Sequence, residues 1–161
     1  MDKEPSDAAI GAWLGAATGR RFESRPAETV HGGSIHHCVR WPARGGDAFV
    51  KLGAAEAIAT FEAEVDGLEA LREARALRVP EVLAAGVAAG RAVLALEWLD
   101  LSPQVAERSS VQARLGEALA AQHRVTGPTW GWHRDNTIGA TPQPNPGDDD
   151  WVRFFREHRL A

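Results

Sequence analysis

The chain has 161 residues, a length that suits one domain, or one domain and part of another. Its 44% apolar and 25% charged content is that of a soluble globular protein with enough apolar material for a core, which excludes wholesale disorder. Eighteen Lys and Arg against 22 Asp and Glu give a net charge of −4, which argues against a general nucleic-acid binder because phosphate contacts need a basic surface. The lone cysteine, Cys38, can form no internal disulfide and supports no cysteine-based metal set. The opening stretch MDKEPSDAAI is acidic and proline-broken, unlike a secretory leader. No run of about 18 apolar residues is present to span a bilayer. The expectation is a soluble, cytoplasmic protein in a reducing compartment, without nucleic-acid or membrane partners.

Residues 6–18 predict a helix: Ser6 or Asp7 can cap it, Ile10, Trp13 and Leu14 share a face, and Gly19 stops it. Residues 20–41 change character. Thr29-Val30, the segment His31-Gly32-Gly33-Ser34-Ile35, and His37-Cys38-Val39-Arg40-Trp41 predict two strands joined across a glycine turn. Pro42 and Arg44-Gly45-Gly46 make a second turn. Residues 47–52 follow as a third strand, whose alternation puts Phe49 and Lys51 on one face and Val50 and Leu52 on the other. A long helix is expected from about Ala54 to Arg75, because Ile58, Phe61, Val65, Leu68 and Leu71 recur at three- and four-residue spacing as one buried stripe. Pro80 bars its continuation.

Residues 82–85 and 92–96 read as two more strands around the turn Ala88-Ala89-Gly90. Ser109 or Ser110 then caps a helix over 111–124 that Gly127-Pro128 ends. Residues 127–149, rich in Gly, Pro, Thr and Asn, read as a loop holding Trp130 and Trp132. A final helix starts behind Asp148-Asp149-Asp150 and carries Trp151, Phe154 and Phe155. The order predicts a five-stranded antiparallel sheet with one long helix laid on it, followed by a helical segment that buries little by itself. A truncated chain is expected, with an exposed apolar face around Trp151, Val152 and Phe155.

One carboxylate of the long helix stands out. At about 100° per residue, Glu62 and Glu69 fall outside the apolar stripe, whereas Glu64 projects between Leu68 and Leu71, within it. An ionised carboxylate facing a core is costly unless a cation meets it. The nearest candidate is Lys51, central in the preceding strand. A strand lysine held by a helix glutamate beneath a glycine turn is the arrangement by which kinases hold the α/β-phosphates of a nucleotide.

Several stretches together resemble the fructosamine kinase/ketosamine-3-kinase family of the protein-kinase-like superfold. They are Gly32-Gly33-Ser34-Ile35, Phe49-Val50-Lys51, FEAEVDGLEAL (61–71), Val79-Pro80, LALEWL (94–99), LGEALAAQH (115–123), Gly131-Trp132, DNTIGATPQPN (135–145), DWVRFF (150–155) and Arg159-Leu160. The resemblance covers the chain from about residue 30, and the Asn-Thr-Ile-Gly-Ala-Thr-Pro-Gln-Pro-Asn and Trp-Val-Arg-Phe-Phe segments are its most specific parts. It implies an α+β fold: a kinase-like nucleotide-binding lobe over residues 1–99, then the start of an incomplete helical lobe over 100–161. It further implies that Gly32, Gly33, Ser34 and Ile35 form the turn over the phosphates of ATP, with backbone N–H groups as donors. Lys51 would contact the α/β-phosphates and Glu64 would hold it. Leu96 would stand behind the adenine, whose edge would meet the backbone C=O of Glu97 and N–H of Leu99. Some relatives carry a redox-active cysteine where this chain has Ser34.

The family phosphorylates the sugar 3-hydroxyl of ketosamines, free or on protein lysines, with ATP and Mg2+, and the product then breaks down, so the activity serves deglycation. The family's catalytic loop, His-Gly-Asp-Leu-Trp with a following Asn, and its metal-binding Asp are absent from these 161 residues. The expectation is therefore a chain that holds no catalytic residue and no metal ligand, and that does not turn over alone. An aminoglycoside- or choline-type kinase and a non-catalytic nucleotide-binding module are the alternatives.

Other candidates are set aside. His133-Arg134-Asp135 spells the start of a protein-kinase catalytic loop, but Ala140 stands where that loop needs Asn; the segment reads instead as a loop flanking the Thr-Pro-Gln stretch. His31, His36 and His37 lack the spacing of a ligand set. Asp148, Asp149 and Asp150 read as a helix cap, and His123 as a packed structural histidine.

Overall fold

A computed structural model describes residues 7–31, 35–101 and 108–160. The chain divides into two units, Met1–Leu68 with Pro80–Leu101, and Glu69–Val79 with Ser102–Ala161.

In the first unit, helix α1 (Asp7–Thr18) buries Ile10 and Leu14. Gly19 ends it as expected, in the left-handed conformation (φ +71°) with its N–H on the Gly15 carbonyl at 3.0 Å. Strands β1 (Arg21–Phe22) and β4 (Ala43–Arg44) pair as a short antiparallel ribbon that no sequence signal announced. The expected five-stranded sheet is formed by β2 (Glu28–Thr29), β3 (His37–Trp41), β5 (Ala48–Ala54), β6 (Val82–Ala88) and β7 (Arg91–Glu97) in the order β2-β3-β5-β7-β6. Every neighbouring pair is antiparallel. Ala89 (φ +50°) and Gly90 (φ +77°) are both left-handed, the backbone a two-residue hairpin turn needs.

The two faces of this sheet bury different sets. Val39, Trp41, Ala48, Val50, Leu52, Val93 and Ala95 pack with Ile10 and Leu14 of α1. Close approach of α1 depends on Gly86, where a Cβ would stand 2.7 Å from Trp13 Cζ2. On the other face Phe61 packs with Ala92, Leu94 and Leu96, joined by Phe49, Ile58, Val65 and Leu68. The helix that brings these residues, α2 (Ile58–Glu73), is preceded by a single 3-10 turn over Ala55–Ala57 and ends two residues short of the expected limit. Leu71 lies outside the buried stripe, exposed to 43%, so the stripe ends at Leu68.

In the second unit, α3 (Arg108–His123) includes Ser109 and Ser110, so the helix begins ahead of the residues expected to start it. His123 is exposed rather than packed. Residues 127–149 are not wholly loop: β8 (Asn136–Ile138) and β9 (Thr141–Gln143) form a hairpin turned at left-handed Gly139. The aspartate run divides its work ahead of α4 (Trp151–Arg159). Asp150 is the cap, accepting from the N–H groups of Val152 (2.8 Å) and Arg153 (3.2 Å). Asp148 takes both Nε (2.7 Å) and Nη2 (2.6 Å) of Arg153. Among the described residues of this unit only Phe154 and Asn145 are buried. Asn145 is enclosed by bonds from its side-chain amide to the Arg134 carbonyl and Asn136, and from Arg159 to its oxygen. Trp151, Val152 and Phe155 present the exposed apolar face expected of them.

Two measurements test this architecture. Trp41 is wholly buried and its indole N–H donates to the Glu23 carbonyl at 2.9 Å. Trp41→Ala is expected to cost about 3 to 5 kcal/mol in urea unfolding. The Arg153 guanidinium holds the Asp148 carboxyl down at about 2. A folded value below the ordinary one means the bridge contributes fully above about pH 4 and is lost as the pH falls through the folded value. Carboxyl-carbon NMR of Asp148 should titrate at about 2, whereas an ordinary carboxylate value near 4 would rule the bridge out.

Candidate functional site

Strand alternation decides which side chains reach the α2 face of the sheet. Lys51 and Phe49 lie on it, with Val50 and Leu52 in the opposite core. Register then assembles two rows across the strands: Cys38, Lys51 and Leu94, and beside them Arg40, Phe49 and Leu96.

Lys51 Nζ donates to both carboxylate oxygens of Glu64, at 2.6 and 2.8 Å. The pair predicted from stripe and strand is therefore formed. Its side chains are 23% and 31% exposed, so it is partly screened and adds on the order of 1 kcal/mol or less to stability. Both Glu64 oxygens lie on one side of the ammonium, so of its three N–H donors at least one is directed away from Glu64.

Two neighbours hold this geometry. The Cys38 thiol lies across the strand pair from Lys51 and donates to the His36 carbonyl at 3.6 Å. Burial pushes its pKa up more than the Lys51 charge lowers it, so at neutral pH it is a packed thiol, not a nucleophile. The His36 ring meets Phe61 edge-on, with centroids 4.8 Å apart and planes at 72°. Phe61 is one turn before Glu64 on α2, so this contact ties the segment entering β3 to the helix that carries the carboxylate. Gly53 makes room for it: a Cβ there would stand 2.9 Å from the Ala57 Cβ and 3.3 Å from His36 Nδ1. Gly32, Gly33 and Ser34 lie outside the described residues. Ile35, the first after them, is exposed.

At the other end of the face, Leu96 is buried beside its register partner Phe49. The chain beyond it is tied to both neighbours: Glu97 N–H donates to the Glu81 carbonyl (2.8 Å) and Trp98 N–H to the Asp47 carbonyl (3.3 Å). The Glu97 carboxylate accepts from Glu81 N–H at 3.3 Å. Leu99 is half-buried. Sequence reasoning missed Arg40. Its Nε donates to Asp47 Oδ2 at 2.7 Å, Glu28 lies 3.5 Å away, and its guanidinium carbon sits 4.8 Å over the Trp98 ring. These partners come from separate turns and strands, and no periodicity links them. In the second unit, Asp135 accepts from the Asn145 N–H at 2.7 Å, so the His-Arg-Asp triplet serves to frame the β8–β9 hairpin.

The site exposes one lysine to a direct chemical test, because Lys3 and Lys51 are the only lysines in the chain. In the parent protein Lys51 is expected to react more slowly than Lys3 with an acylating reagent, read by peptide mass spectrometry. Glu64→Ala should bring the two rates together, and equal rates in the parent would contradict the clasp.

A fructosamine kinase family model matches residues 6–161. The Synechocystis protein named probable ketoamine kinase slr1563 is 40% identical over 155 residues, which cover 94% of this chain and 51% of that protein. The chloroplastic protein-ribulosamine 3-kinase of Arabidopsis thaliana is 35% identical over 164 residues, covering 100% of this chain and 48% of that one. A solved fructosamine-3-kinase candidate from Haemophilus somnus 129PT superposes with a TM-score of 0.84 at 26% identity, over 98% of this chain and 52% of its own. The chain thus spans about half the length of the curated relatives it matches. With a kinase-like α+β fold and a family match over nearly its whole length, the chain belongs to the fructosamine kinase family.

Proposed function

We propose that residues 1–161 form the nucleotide-binding part of an ATP-dependent kinase that phosphorylates the sugar 3-hydroxyl of ketosamines. The observation that carries this reading is the bidentate hold of Glu64 on Lys51, which leaves a placed cation on the sheet face. Lys51 would meet the α/β-phosphates, and the backbone N–H groups of Gly32, Gly33, Ser34 and Ile35 would cover them. Leu96 would close the site behind the adenine, with the C=O of Glu97 and the N–H of Leu99 on its edge. Catalysis of this kind is positioning plus charge neutralisation, with little covalent chemistry asked of the protein. Magnesium would neutralise phosphate charge, and the described residues supply no cluster of three or more ligating side chains for it.

The substrate class is taken from relatives that carry ketoamine and ribulosamine kinase names. The His-Gly-Asp-Leu-Trp segment is absent from these residues, so we assign them binding and positioning rather than turnover. Calorimetric titration of the chain with ATP and Mg2+ should show saturable binding that Lys51→Met weakens at least tenfold. Binding unaffected by that change would exclude this site. Phosphate transfer to a model fructosamine by residues 1–161 alone would refute the division of labour.

A further inference from the structure

We propose that Arg40 is a positioning residue for the base end of the nucleotide. By gripping Asp47 and lying on Trp98, it fixes the two peptides that meet the base, and so sets base affinity and selectivity. This role rests on the nucleotide reading above and adds to it a residue that no spacing rule singles out.

Arg40 stands on the working face of the sheet. It is two residues along β3 from Cys38, the register partner of Lys51, and its own partner is Phe49, which pairs onward with Leu96. Its position is over-determined. Asp47 accepts from Arg40 Nε through one carboxylate oxygen (2.7 Å) and from the Ala43 N–H through the other (3.3 Å). The same residue accepts from Trp98 N–H through its backbone carbonyl at 3.3 Å. Arg40 then returns to Trp98 by stacking on the indole at 4.8 Å. Arg40, Asp47 and Trp98 therefore close a ring of three contacts, which an ordinary exposed ion pair does not.

The ring matters because of what flanks Trp98. The Glu97 carbonyl belongs to the peptide before its Cα, and the Leu99 N–H to the peptide after it. Peptides are rigid planes, so φ and ψ of Trp98 alone set the angle between the acceptor and donor assigned to the base. Trp98 N–H anchors the first plane and the Arg40 stack restrains the side chain that turns with it. Loss of the stack frees that angle without touching Lys51 or Glu64.

The test separates base from phosphate. The 161-residue chain is titrated calorimetrically with ATP, GTP and tripolyphosphate in magnesium buffer. Arg40→Met and Trp98→Leu are each expected to weaken ATP about five- to tenfold, to narrow the ATP-to-GTP preference, and to leave tripolyphosphate affinity unchanged. Arg40→Lys should resemble Arg40→Met, because a compact ammonium cannot lie flat on the indole while reaching Asp47 with a planar fork. Lys51→Met should weaken ATP and tripolyphosphate together. Parent-like ATP affinity in both Arg40→Met and Trp98→Leu overturns the role of Arg40 and leaves the nucleotide site standing. Loss of tripolyphosphate in step with ATP also overturns it, marking Arg40 as structural only. Failure of the parent to bind either ligand removes the nucleotide reading, and this role falls with it.

Discussion

Two hydrogen bonds from one ammonium to one carboxylate organise the first unit. Lys51 belongs to β5 and Glu64 to α2, and the pair joins them on the sheet face that α2 covers. On that face Phe61 of α2 packs along Ala92, Leu94 and Leu96 of β7, whereas Cys38 and Arg40 lie on β3, with Lys51 on β5 between the two strands. The opposite face packs α1 against Val39, Trp41, Val50 and Val93, and its polar residues His37 and Glu97 pair at its ends with Leu52 and Ala48. Such a division asks the sequence for two kinds of alternation in one strand: buried Val50 and Leu52 on one side, Phe49 and Lys51 on the other.

The energetics fit placement better than stabilisation. A partly exposed ion pair gains little net free energy once desolvation and side-chain ordering are counted. The stability of the unit instead comes from Trp41, Phe61, Ile10, Leu14 and their wholly buried neighbours. A lysine whose direction is set by a carboxylate, at little cost or gain to the fold, is suited to meeting an anion, because its orientation need not be bought again on binding. The second unit has a different balance. Its order comes from polar connections, Asp148 with Arg153 and Asn145 with Arg134, Asn136 and Arg159, around a single buried phenylalanine.

Much of this was legible in the sequence because it depends on short-range periodicity. Glu64 stood out as a carboxylate on an apolar stripe, and Lys51 as a cation in an alternating strand, so their meeting could be anticipated. The cap at Asp150 could be read for the same reason, since its bonds reach only two and three residues ahead. Long-range contacts and irregular segments left no such trace. The β8–β9 hairpin is masked by Gly139 and Pro142 in a stretch whose composition reads as loop. Asn145 is buried by contacts from three different elements, and a polar residue in a polar run gives no warning of that. Arg40 reads as an ordinary strand arginine until Asp47 is brought to it by the turn that precedes β5 and Trp98 by the segment that follows β7.

The grip of Glu64 also bears on how Lys51 meets reducing sugars. Condensation of a sugar aldehyde with a side chain begins from an amine that offers a lone pair. An ammonium engaged by both oxygens of a carboxylate offers none. With arginine carrying nearly all of the chain's positive charge and Lys3 as the sole companion lysine, the clasp engages one of only two side-chain amines on which such adducts could form.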